Sequence, residues 1–108
     1  MFKNEVAEFI YKRTYSRWLE DENRREDWPE TIERLITFLI SKRPDIPDKT
    51  ITKLRKYMME FAVMPSMRFL WAAGPAADFD NTCIYNCAFA KINSIEAFSE
   101  CLYILMCG

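Results

Sequence analysis

The stretch NTCIYNCAFAKI, residues 81–92, sets two thiols, Cys83 and Cys87, four positions apart in a chain that has no histidine. Thiols can hold a metal, staple a chain or carry electrons. A structural zinc site needs four ligands, usually from tight cysteine knuckles joined by a second pair, and this chain offers neither the spacing nor a histidine. The β-favouring and aromatic content predicts an extended strand from Thr82. In such a strand Cα atoms four apart lie roughly 13 Å from each other, too far for a direct disulfide. Cys83, Tyr85, Cys87 and Phe89 would share one face, with Asn86 and Ala88 on the other. Cys101 and Cys107 fall in the apolar run AFSECLYILMCG, where cysteine packs as a small hydrophobe. Taken alone, Cys83 and Cys87 are ordinary core positions as well.

The elements that must position these residues are mostly helices. From Lys3 to about Leu19, Val6, Phe9, Ile10, Arg13, Tyr15 and Trp18 recur at three- and four-residue intervals, an amphipathic pattern. EDENRRED interrupts it. Asp27-Trp28-Pro29-Glu30 then reads as a helix start: Asp27 as N-cap, Pro29 in the first turn and Glu30 closing a capping box. Ile32, Leu35, Ile36 and Leu39 form the buried stripe of that helix, which Pro44 ends. Asp48 is the expected cap of a third helix carrying Ile51, Leu54, Tyr57, Met58 and Phe61. Beyond Val63 the character changes: MPSMRFLWAAGP predicts a brief strand over Arg68–Trp71 closed by Gly74-Pro75, and PAADFDN a loop. Asn93-Ser94-Ile95-Glu96 opens a last helix with its own capping box. A strand followed by a capped helix begins a βα unit of a mostly parallel sheet. The organisation is thus a helical region, residues 1–62, leading into the start of an α/β domain, residues 63–108, that these residues do not complete.

Composition narrows the function classes. Half of the 108 residues are hydrophobic, so the chain should bury a core. Fifteen basic and sixteen acidic residues leave a net charge of -1, which gives no electrostatic reason for a nucleic-acid partner. Lys12, Arg13, Arg17, Arg24 and Arg25, interleaved with Tyr11, Tyr15 and Trp18 and flanked by Glu20, Asp21, Glu22 and Glu26, read as a solvated face laced with salt bridges. No membrane span or signal peptide is legible; a cytoplasmic location, with reduced thiols, is the default expectation. The apolar terminal run should leave a hydrophobic face in need of cover from another polypeptide segment.

Five runs in order, RTYSRW (13–18), RREDWPETIERL (24–35), MPSMRFLWAAG (64–74), YNCAF (85–89) and FSECLYILMCG (98–108), resemble the N-terminal portion of a ribonucleotide reductase. The likeness is to the adenosylcobalamin-dependent class II enzymes, in particular the monomeric triphosphate-reductase type. The resemblance implies a ten-stranded α/β barrel with a central finger loop, incomplete in this chain. It also implies a mechanism in which adenosylcobalamin generates a cysteine thiyl radical that removes the 3′ hydrogen of the substrate. A pair of further cysteines then delivers the reducing equivalents and ends as a disulfide.

By that resemblance Cys87 is the first redox cysteine, Asn86 lies beside it in the substrate pocket, and Ser66 and Arg68 help hold the nucleotide phosphates. The readings apart from the family are a turn-capping serine and a surface arginine. The thiyl cysteine, the catalytic glutamate, the second redox cysteine and the cobalamin-contacting region are expected in a C-terminal remainder, and no ATP-cone-like segment is expected ahead. Implied partners are that remainder, nucleotide substrate and effector, and a thioredoxin-like reductant. A split gene, an intein or proteolysis would each produce such a boundary. Two other readings are a reductase subclass with a metal-generated radical and a diphosphate substrate, and a helical interaction module whose cysteines are all structural.

Overall fold

A computed structural model describes residues 2–107. Helix α1 (Glu5–Thr14) starts where the Asn4 side chain accepts the amide of Ala7 at 2.8 Å, with Glu5 and Glu8 in its first turn and Lys12 and Arg13 in its last. These charges complement the helix dipole. It stops short of Leu19, the expected end. Ser16 Oγ donates to the Glu26 carbonyl at 2.6 Å and turns the backbone into a two-stranded antiparallel hairpin, β1 (Trp18–Leu19) and β2 (Arg24–Arg25), with Trp18 opposite Arg25. The sequence pattern predicts only a break there.

Helix α2 (Trp28–Lys42) begins as predicted. The Asp27 carboxylate accepts the Glu30 amide at 3.0 Å, and the Glu30 carboxylate accepts the Asp27 amide at 2.7 Å. Two orphan donors of the first turn are thereby satisfied. Trp28, Thr31, Ile32, Leu35, Ile36 and Phe38 face inward, and Leu39 is half-buried against the same core. Helix α3 (Asp48–Met59) packs on α2 through Ile51 and Met58. Its N-cap is Pro47 and not Asp48, which is already the first helical residue and makes no capping bond. The chain turns out of α3 at Phe61, whose φ of 57° lets its ring stack on Trp28 at 4.6 Å. Phe2 and Tyr11 complete this aromatic cluster.

Beyond residue 63 the expected strands are corrected. Arg68–Trp71 lies in helix α4 (Met67–Ala72), and the expected loop holds helix α5 (Pro75–Phe79) and a 3-10 turn (Asn81–Ile84). A strand needs a neighbour for its backbone groups, and the hairpin β1–β2 is the only sheet among the described residues. Local capping wins instead: Ser66 accepts the Phe69 amide at 3.1 Å, and Asp80 accepts the Thr82 amide at 3.0 Å. Gly74, at φ 108°, makes the turn between α4 and α5. Residues 85–93 belong to no helix or strand, so the predicted strand and the βα unit built on it are absent as such. Helix α6 (Glu96–Cys107) follows, touching the body mainly at the 3-10 turn.

The core is continuous: Ile32, Leu35 and Ile36 of α2 meet Ile51 and Met58 of α3, Leu70 and Ala72 of α4, Ala77 of α5 and Cys83. The ten-stranded barrel is not seen in this chain. No described helix is long and apolar enough to cross a membrane.

Candidate functional site

The short helix α4 and the segment after the 3-10 turn bring two of the four predicted site residues together. Arg68 Nε donates to Asn86 Oδ1, and both line a cleft of about 360 Å³ with Thr14, Tyr15, Met67 and Trp71. Tyr15 reaches Met67 Sδ through its hydroxyl at 3.0 Å, so α1 closes one side. Cys87 follows Asn86 directly and is an exposed, free thiol. Ser66 is not among the residues lining the cleft; its hydroxyl caps α4, in keeping with the turn-capping alternative.

The two cysteines that opened the question part company. Cys83 is buried in the hydrophobic core, while Cys87 faces solvent. All four thiols are free, and no group of three or more His, Cys, Asp or Glu side chains able to hold a metal occurs among the described residues. Cys101 and Cys107 are half-buried on α6.

Between the hairpin, α2 and α4 lies a buried ion network that sequence reasoning missed. Glu26, read as part of a solvated face, is only 4% exposed. Arg34 of α2 holds its carboxylate with two bonds, Nε to Oε1 at 2.7 Å and a terminal nitrogen to Oε2 at 3.0 Å. Thr31 Oγ1 and the Arg17 amide donate to Oε2 at 2.9 and 3.1 Å. The Glu26 carbonyl in turn accepts from Ser16 and from Lys12 Nζ at 2.9 Å. Burial is the largest single influence on the Glu26 carboxyl and would raise its pKa. The bonds from Arg34, Arg17 and Thr31 together outweigh it and hold the group below the usual glutamate value. Tyr11, 2.6 Å from Thr31 Oγ1, has its phenol pushed up by burial.

Arg34 extends the network to α4, donating to the carbonyls of Leu70 and Ala73 at 3.1 and 2.6 Å. It thus satisfies the C-terminal carbonyls of the helix that carries Arg68. Nothing in the sequence pattern distinguishes Glu26 from its charged neighbours. The available signal is the arginine at position 34, beside the apolar stripe of α2, where a charge needs a partner.

Residues 1–75 match the family model of the ribonucleotide reductase alpha domain. Adenosylcobalamin-dependent ribonucleoside-triphosphate reductases from Levilactobacillus brevis and Lactobacillus gasseri are 32% and 36% identical to the chain over 101 and 100 residues, each match covering 82% of this chain and 14% and 13% of the relative. A Mycobacterium phage D29 protein is 41% identical over 72 residues, 64% of this chain and 10% of its own length. The chain therefore spans between a tenth and a seventh of the length of these relatives. No solved structure matches it.

Proposed function

Because this chain belongs to the ribonucleotide reductase family, we propose that it forms the N-terminal part of an adenosylcobalamin-dependent reductase that converts ribonucleoside triphosphates to 2′-deoxyribonucleotides for DNA precursor synthesis. The observation that carries this reading is the extent of the likeness to reductases of that name. A match covering 82% of 108 residues spans about 89 positions, and any continuous stretch of that length includes Cys87. Relatives named for triphosphate reduction favour that substrate over a diphosphate.

In this reading residues 1–62 are a helical support and residues 63–108 the start of the catalytic barrel. Cys87 is one thiol of the redox pair. The substrate's C2′–O bond breaks, its oxygen leaves as water after taking a proton from a thiol, and the two sulfurs close into a disulfide. Two electrons thus pass from the thiols to the nucleotide, and a thioredoxin-like reductant restores the pair. The second sulfur must come from the remainder of the enzyme, with its Cα within about 7 Å. The thiyl cysteine that removes the 3′ hydrogen also belongs to the remainder.

Residues 86–93, outside any helix or sheet, can offer backbone groups to barrel strands supplied by that remainder. Arg68, held against Asn86, offers a guanidinium suited to phosphate, with Ser66 at the start of the same helix. Corrinoid binding is assigned to the remainder of the enzyme. Cytoplasmic placement, with a nucleotide effector, follows from the same reading.

The test is nucleotide reduction by the complete enzyme with adenosylcobalamin and a dithiol reductant, comparing wild type with Cys87→Ser. Loss of multiple turnover with fold and cobalamin binding retained is expected. Unchanged turnover would make Cys87 a bystander and overturn the assignment.

A further inference from the structure

We propose that Arg68 and Arg34 are positioning residues for Cys87, Arg68 by holding the neighbouring Asn86 and Arg34 by fixing the helix from which Arg68 reaches. The inference rests on the reading of Cys87 as a redox thiol, and adds what aims that thiol. Cys87 has no regular structure around it: residues 86–93 lie outside any helix or strand, and the Phe89 side chain is 98% exposed. Among the described residues, the bond from Arg68 Nε to Asn86 Oδ1 is the one hydrogen bond that ties residues 86–93 to the body.

That bond decides how far the thiol can wander. Ile84 is the last residue of the 3-10 turn, and three residues of extended chain from there to Cys87 reach about 10 Å. Two cysteines that close a disulfide need their Cα atoms within about 7 Å of each other. An unheld segment would therefore carry Cys87 out of range of its partner. With Asn86 held, the Cys87 Cα lies one trans peptide away, about 3.8 Å. The thiol then stays beside the cleft that Arg68 and Asn86 line.

The other end of the bond is fixed from below. Helix α4 has six residues, well under the roughly 12 that a helix needs to persist on its own. Its surroundings hold it. Ser66 caps its start at 3.1 Å, and Arg34 donates to the Leu70 and Ala73 carbonyls at its end, at 3.1 and 2.6 Å. Arg34 is itself locked on the Glu26 carboxylate at 2.7 and 3.0 Å, and Leu70, Ala72 and Ala73 are at most 2% exposed. Arg68 thus projects from a held backbone. A lysine at position 34 would keep the charge for Glu26 but lack the planar fork that serves a carboxylate and two carbonyls together.

The experiment is steady-state reduction of a ribonucleoside triphosphate by the complete enzyme, with adenosylcobalamin and a dithiol reductant. Asn86→Leu keeps the size of the side chain and removes the acceptor; because Asn86 is exposed, its melting temperature should match wild type. Its kcat should fall at least about tenfold with KM within about twofold, since a small misplacement of a reacting group is costly. Arg34→Lys should show the same split between kcat and KM. Arg68→Gln, which can still donate to Asn86, should retain more kcat than Arg68→Met. Arg68→Met combined with Asn86→Leu should be no slower than the slower single variant, because both remove one bond. With Cys87→Ser inactive, a wild-type kcat in Asn86→Leu, a change confined to KM, or additive losses would each overturn the proposal alone. Full turnover by Cys87→Ser would overturn the redox reading, and this inference with it.

Discussion

Glu26 and Arg34 join three of the runs that carry the family likeness. Glu26 sits in the second, its carboxylate binds the backbone of the first at Arg17, and Arg34 carries the connection to the third at Leu70 and Ala73. Removing one member leaves the other charge buried and unpaired, so Glu26→Gln should destabilise the chain by about 3–5 kcal/mol, read as a fall in the denaturant midpoint. The pH dependence has a definite sign. A carboxyl held below its usual value in the folded state contributes stability that is present above that value and lost as pH falls through the folded pKa. Glu30 behaves likewise: the Arg24 guanidinium, and then the Asp27 amide, hold its carboxyl down to about 2. Unfolding midpoints should accordingly fall as pH drops below the ordinary glutamate range toward 2, and Glu26→Gln should flatten that dependence. A wild-type midpoint independent of pH across this interval would contradict it.

At the scale of elements, local chemistry decided more than periodicity. The capping box of α2 was legible because Asp27, Pro29 and Glu30 act within one turn of themselves, whatever the rest of the chain does. Asp27→Ala should cost about 1 kcal/mol, measured by thermal melting, and a change within error would mean the cap is redundant. The segment Arg68–Trp71 reads as a brief strand from its sequence because the run around it looks too short and too interrupted for a helix. A serine N-cap and the Arg34 contacts at its far end were enough to make it a helix. The strand expected from Thr82 illustrates the opposite limit. Strand-favouring residues describe a surface that fits into a sheet, and no described strand lies beside them.

Across the whole molecule the core runs from the aromatic cluster of Phe2, Tyr11, Trp28 and Phe61 to Cys83, while apolar surface accumulates beyond it. Phe89 is 98% exposed, and Phe98, Leu102, Tyr103 and Met106 leave α6 with a broad uncovered apolar face. Patches of this kind mark contact surfaces. On the proposed reading the remainder of the reductase covers this one. Phe98→Glu combined with Leu102→Glu should leave the melting temperature of the chain nearly unchanged, since both side chains are exposed. The pair should abolish co-purification with the rest of the enzyme. Retained co-purification would move the contact elsewhere.

The sequence by itself determined the helices whose signals are short in range, and the family. The core stripe of α2 and its cap needed nothing beyond their own neighbours. Only the tertiary structure decided that Glu26 is buried, that Arg68 meets Asn86, and that Cys83 and Cys87 separate into core and surface. The first two depend on segments between 8 and 39 positions apart in the chain being brought together. A charged residue looks the same in the sequence whether its partner is water or an arginine on the next helix.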